Sequence, residues 1–81
     1  MTTTTIHERA RQLLKIRLSG EDPANDSTPW SRRAARGMNV FRREVRYVIN
    51  SLNMGHITQA DASELLDICE RGLQAFVDLD S

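Results

Sequence analysis

The sequence predicts an all-α fold: a small three-helix domain with a short N-terminal helix, a long central helix and an antiparallel C-terminal helix. Two observations predict it. Apolar residues recur every three or four positions in three separate segments, which is the period of an amphipathic helix. Each segment also follows a threonine, a residue that favours the N-cap position. We expect a flexible tail followed by one helical domain, with bounds as follows: tail 1–5, domain 6–81, helices at about 6–18, 29–53 and 59–79.

The first predicted helix begins after Thr5, because Glu8 lies three positions further on and completes a capping box. Arg17 falls inside its apolar stripe by helical position. We expect the stem of Arg17 to pack while its guanidinium group reaches water near the helix end; the alternative is a buried ion pair with an acid of the third helix. The stripe consists of Ile6, Ala10, Leu13, Leu14 and Leu18.

The second predicted helix begins at Thr28 and Pro29, since proline is well tolerated at the first helical position. Gly37 lies close to its apolar stripe, three residues after Ala34. We interpret this pair of small residues as a place where another helix approaches closely; the alternative is a bend at the glycine. The stripe consists of Trp30, Ala34, Met38, Phe41, Val45, Val48 and Leu52.

The connections between the helices differ in length. Residues 19–28 are rich in turn-forming residues, and we interpret them as a connector rather than as a functional loop. Gly55 ends the second helix and Thr58 begins the third, so the second and third helices are expected to form an antiparallel αα-hairpin. The stripe of the third helix consists of Ala62, Leu65, Leu66, Cys69, Leu73, Phe76 and Val77.

Length and composition favour a single globular domain in the cytoplasm. The chain has 81 residues, of which 40% are hydrophobic, too many for a disordered chain. No apolar run approaches the roughly 20 residues of a membrane span, and residues 1–5 do not resemble a secretory signal. The single cysteine excludes an internal disulfide. We therefore expect no association with membranes.

Charge is distributed unevenly along the chain. Eleven basic and eleven acidic residues give a formal net charge of zero. Residues 29–53 hold six arginines and one acid, whereas residues 54–81 hold six acids and one arginine. The central helix is therefore basic and the C-terminal helix acidic, a segregation that concerns possible partners more than the total does.

Chemistry-bearing residues are few. Cys69 lies in an apolar stripe, where thiols are usually inert core residues. His7 and His56 have no ligand-type residue at helical spacing, and no catalytic or phosphate-binding motif is present. The sequence therefore predicts no enzymatic activity, no metal site, no cofactor and no small-molecule substrate.

The outward face of the central helix is the surface with the clearest physical character. Its arginines, interleaved with Asn39 and Asn50, form a basic ridge that Arg33 and Arg42 flank. Val40 and Tyr47 lie together about 100° from the apolar stripe, as a second contact surface. The predicted partner-binding residues are Arg32, Arg36, Val40, Arg43, Arg46 and Tyr47.

These features predict a non-catalytic protein-interaction module, such as a small inhibitor, adaptor or regulator. Its expected partner is a protein with an acidic surface or a second copy of the chain, since opposite charges set register and orientation. The alternative is a regulator that binds DNA or RNA phosphates through the same arginines. A solvated face that only keeps the domain soluble is the third interpretation.

Overall fold

The computed structural model describes residues 5–21 and 28–79. It contains three helices, α1 (Ile6–Leu14), α2 (Pro29–Asn53) and α3 (Gln59–Leu79), and the described residues include no strand. The predicted all-α, three-helix class is therefore confirmed. The predicted tail, apart from Thr5, and residues 22–27 of the predicted connector lie outside the described residues.

Threonine side chains begin all three helices. The Oγ1 atom of Thr5 accepts a hydrogen bond from the backbone N–H of Glu8, and that of Thr28 accepts one from Ser31. At α3 the bonding is reciprocal, because Thr58 accepts from the N–H of Asp61 while the Asp61 carboxylate accepts from the N–H of Thr58. Each cap satisfies N–H groups that have no partner within the helix.

Gly55 makes the tight turn between α2 and α3 possible. Its φ is +76°, a conformation that costs glycine little and other residues much. The backbone N–H of His56 donates to the carbonyl of Ser51 at 2.9 Å, and the N–H of Gly55 donates to Leu52 at 3.0 Å. This pair of bonds is the Schellman motif, and it sends α3 back along α2.

The core lies where α2 meets α3, and α1 covers part of that seam. Its members include three residues of α2 that are fully buried, Ala34, Met38 and Val45. The predicted stripe of α3 is correct at Ala62, Leu66 and Cys69 but wrong at Leu65, which is 38% exposed. The buried cluster is formed by Ala10, Leu13, Met38, Phe41, Val45, Val48, Ala62, Leu66 and Cys69.

Helix α1 ends at Leu14, four residues before the predicted end at Leu18. In a longer helix the carbonyl of Leu14 would accept from the backbone N–H of Leu18, but it accepts from the guanidinium group of Arg17 at 3.2 Å. The carbonyl of Ile16 accepts from the guanidinium groups of Arg17 and Arg42, at 3.0 Å each. The carbonyl of Ser19 accepts from the indole N–H of Trp30 at 2.8 Å. Side chains thus replace helical N–H donors along this segment.

The ion pairs between α1 and α3 centre on Arg9 rather than on Arg17. The Arg9 guanidinium contacts the carboxylates of Asp67 and Glu70 and donates to the carbonyl of Ser63. Hydrogen bonds to Glu70 and then Asp67 raise the pKa of Arg9, so it remains charged. The Arg17 side chain is 65% exposed and pairs with Glu21 at 3.8 Å, so it forms no buried ion pair with the described acids of α3.

Gly37 is a point of close approach, as predicted. A Cβ atom at this position would lie 2.9 Å from the Cζ atom of Phe76, which is closer than side-chain atoms pack. The Phe76 ring in turn stacks on Trp30, with ring centroids 5.9 Å apart. The missing side chain therefore allows α3 to seat an aromatic ring against the backbone of α2.

Candidate interaction surface

The predicted basic ridge is present on the outward face of α2. Arg32, Arg36, Arg43 and Arg46 are all exposed, and their spacing puts them on one side of the helix. The ridge is about 21 Å long from the first to the last of these residues, at 1.5 Å per residue. No hydrogen bond or ion pair joins these four guanidinium groups to another residue in 5–21 or 28–79.

Arg42 does not belong to this surface, although the sequence predicts that it flanks the ridge. Its side chain is only 18% exposed and pairs with Glu21 at 3.2 Å. It also donates to the carbonyl of Ile16, and its buried Nε atom has no partner among the described residues. Arg42 therefore holds the segment after α1 against α2 and is not part of the exposed ridge.

Val40 and Tyr47 are both exposed, at 45% and 73%, as the flank hypothesis requires. They do not share one pocket, however. Tyr47 lines a shallow polar concavity together with Asn39, Arg43 and its neighbours Arg46 and Asn50. Val40 lies on the rim of a different, largely apolar groove between α2 and α3. The predicted flank is thus divided between a polar surface and an apolar one.

The basic surface also extends from α2 towards α1. Arg46 lines a cleft of about 240 Å³ together with Arg11, His7 and the apolar side chains of Leu14 and Ile49. The sequence gives no sign that Arg11 belongs here, because only the packing of α1 on α2 brings it beside Arg46. His7 bonds to the side chain of Asn53 at 2.7 Å and so helps to hold that packing.

Cys69 has the character of an inert thiol. Its side chain is 8% exposed, and its S–H donates weakly to the carboxylate of Glu44 at 3.8 Å. Burial, and after it the charge of Glu44, raises the pKa of the Cys69 thiol above its ordinary value. Because the thiolate is the reactive form, this environment disfavours nucleophilic chemistry.

The described residues contain neither a candidate metal site nor a candidate membrane-spanning helix. In residues 5–21 and 28–79, no group of three or more histidine, cysteine or acidic side chains is placed to hold a metal ion. The helices of this same portion are also too short or too polar to cross a bilayer. Comparisons of the chain with protein-family models, curated proteins and solved structures find no match. The chemistry of the surface itself must therefore indicate function.

Proposed function

We propose that this protein is a non-catalytic interaction module that docks on the acidic surface of a partner protein through the exposed arginines of α2, with Val40 and Tyr47 beside them. A regulator, adaptor or inhibitor would act in this way, by covering or bridging a surface. The observation that supports the proposal is the division of the arginines. Arg9 and Arg42 have partners within the fold, whereas the four ridge arginines have none among the described residues.

The ridge suits carboxylates for a physical reason. A guanidinium group offers two parallel N–H donors to a carboxylate, and such bonds are roughly twice as strong as neutral ones. The ridge is carried by α2, which has six buried residues, so the backbone positions of its arginines are fixed. Docking of arginines on such a helix therefore costs less backbone ordering than docking of arginines on a mobile segment.

Reversal of two ridge charges tests this proposal. We expect Arg43→Glu/Arg46→Glu to weaken binding to poly-glutamate, and capture of the partner from the host extract, by about 100-fold, since each charged contact contributes roughly 1.5 kcal/mol or more. Isothermal titration at low salt measures the first and quantitative pull-down the second. The double variant Lys15→Glu/Arg71→Glu is the control, because both residues are exposed outside the ridge and the charge change is the same.

The thermal unfolding midpoint provides a second control. The ridge side chains have no described partner, so we expect their reversal to leave the midpoint nearly unchanged. Equal loss of binding in the ridge variant and in the control variant would show that only net charge matters. Unchanged binding in the ridge variant would leave the arginines as a solvated face.

Nucleic acid is the second candidate, and the interleaved amides favour it. Asn39 and Asn50 are exposed among the arginines, and amide side chains commonly accompany arginine in contacts with nucleic acid. Four phosphate contacts on duplex DNA would give a slope of about −3.6 for log K against log salt concentration. Binding of random duplex with that slope, and more tightly than poly-glutamate, would support this candidate over a protein partner.

A further inference from the structure

The hairpin of α2 and α3 leaves an open groove on one side. The groove has a volume of about 420 Å³, and both helices line it. No residue of α1 takes part in it. Its α2 wall runs from Arg33 to Glu44, about 17 Å or three helical turns. The remaining lining residues are Arg36, Gly37, Val40, Phe41, Cys69, Gly72, Leu73 and Phe76.

Two glycines line this groove, and only one of them is explained by the fold. Gly37 is needed because Phe76 occupies the space of its missing side chain. A Cβ atom at Gly72 would meet nothing within 4 Å, and its backbone is helical rather than left-handed. Glycine is unfavourable inside a helix, so the fold alone would be better served by another residue there. Gly72 keeps the groove wide and lets another backbone come close.

Apolar side chains extend the groove beyond its walls. Val40 is 45% exposed on its rim, and Ile68, one helical turn before Gly72, is 53% exposed. Gly72 follows Glu70 by two positions, so the groove lies on the side of α3 opposite the ion pair with Arg9 of α1. The exposed apolar residues therefore border the side of the hairpin that α1 leaves uncovered.

We propose that this groove receives an amphipathic helix of the partner protein, whose flank facing α2 is acidic. The inference rests on the proposed function and specifies which element of the partner binds. An apolar stripe at helical spacing matches a groove of three turns between two antiparallel helices, and it completes a four-helix arrangement. The closest approach lies at Gly72.

Charge selects the acidic helix among other amphipathic helices. Arg36, one of the four ridge arginines, lies on the α2 wall near the start of the groove, whereas Arg46 lies on the side of α2 that α1 covers. Glu44 is the one acid in the lining and already accepts from the Cys69 thiol. The α3 wall contributes no charged residue to the lining. Acids on the flank of the incoming helix that faces α2 would therefore meet Arg36.

Binding of designed peptides tests the proposal. The first peptide is a helix of leucines at positions i, i+3, i+4 and i+7 with glutamates along one flank. The second peptide has lysine in place of each glutamate. The third is the first peptide with one central residue replaced by proline, which breaks the helix. Trp30 reports occupancy, because it is the single tryptophan and stacks on Phe76 in the groove wall. We expect the acidic helix to change Trp30 fluorescence and to bind at least ten-fold more tightly than either control.

Substitution of Gly72 by leucine tests whether the peptide binds in the groove. We expect Gly72→Leu to weaken binding of the acidic helix at least ten-fold while the thermal midpoint stays equal or rises, because the residue is a better helix former in open space. Gln74→Leu is the control, since it places the same side chain on an exposed position on the other side of α3. Unchanged binding by Gly72→Leu would overturn the proposal.

The outcomes separate this inference from the proposed function. If the wild-type protein binds poly-glutamate but binds the acidic helix no better than the proline peptide, the groove is not used and the arginine ridge still is. If it binds neither, both proposals fail. Dimer formation in light scattering that Ile68→Arg abolishes and Met54→Arg does not would assign the groove to a second copy of the chain and overturn the choice of partner.

Discussion

Truncation of Leu66 to alanine is expected to lower the free energy of unfolding by about 2–5 kcal/mol. Leu66 is fully buried at the centre of the cluster that α1, α2 and α3 share. The substitution removes apolar contacts and leaves a cavity that a small core closes only in part. A domain of this size has a total stability of roughly 4–12 kcal/mol, so this single change would remove much of it. Urea unfolding followed by circular dichroism measures the effect.

Ile68→Ala is the matched control for this prediction. Ile68 lies two positions away on the same helix but is 53% exposed. We expect its truncation to cost less than about 1 kcal/mol, because little buried surface is lost and alanine favours helix. Similar losses at the two positions would mean that α3 does not present Leu66 to the core.

Replacement of Arg42 by methionine is expected to cost about 1–3 kcal/mol, whereas the same change at Arg43 should alter stability by less than about 0.5 kcal/mol. The Arg42 guanidinium pairs with Glu21, whose side chain is only 11% exposed, and it bonds to the carbonyl of Ile16. In the Arg42→Met variant, the largely buried carboxylate of Glu21 would keep only one described cation beside it, Arg17 at 3.8 Å. Arg43 is exposed and belongs to the ridge.

A double-mutant cycle makes this prediction sharper. Glu21→Gln removes the carboxylate charge that Arg42→Met leaves with Arg17 alone, so the double variant should be more stable than the sum of the two single losses predicts. Denaturant unfolding of the four proteins measures that coupling. Strict additivity, or equal losses for Arg42→Met and Arg43→Met, would contradict the division between internal and exposed arginines.

The parts of the fold that local chemistry controls could be predicted from the sequence. The Thr58–Asp61 capping box and the Gly55 turn depend on residues within a few positions of each other, and the structure contains both. Helical period predicts five buried residues of α2 correctly, whereas Trp30 and Leu52 of the predicted stripe are only half-buried and the buried Ser31 is not in it. The end of α1 could not be predicted in this way, because it depends on Arg42 and Trp30, which lie far away in the sequence.

The candidate site shows the same limit. Sequence spacing places Arg42 and Arg43 side by side, and only the position of Glu21 separates an internal arginine from an exposed one. Periodicity also assigns Leu65 to the core, although its side chain is 38% exposed. The sequence does not distinguish Gly72 from Gly37, because the difference is the space that a Cβ atom would enter: open at Gly72 and filled by Phe76 at Gly37.

The most direct test of the central claim is the response of the arginine side-chain Nε–H signals in a ¹⁵N NMR titration with poly-glutamate. The exposed arginines of α2 are proposed to be the recognition surface, while Arg9 and Arg42 hold the fold together. We predict that the signals of the ridge arginines shift and saturate together, and that those of Arg9 and Arg42 stay in place. Equal shifts in all the arginines, or shifts confined to Arg71 and the internal pair, would contradict the proposal.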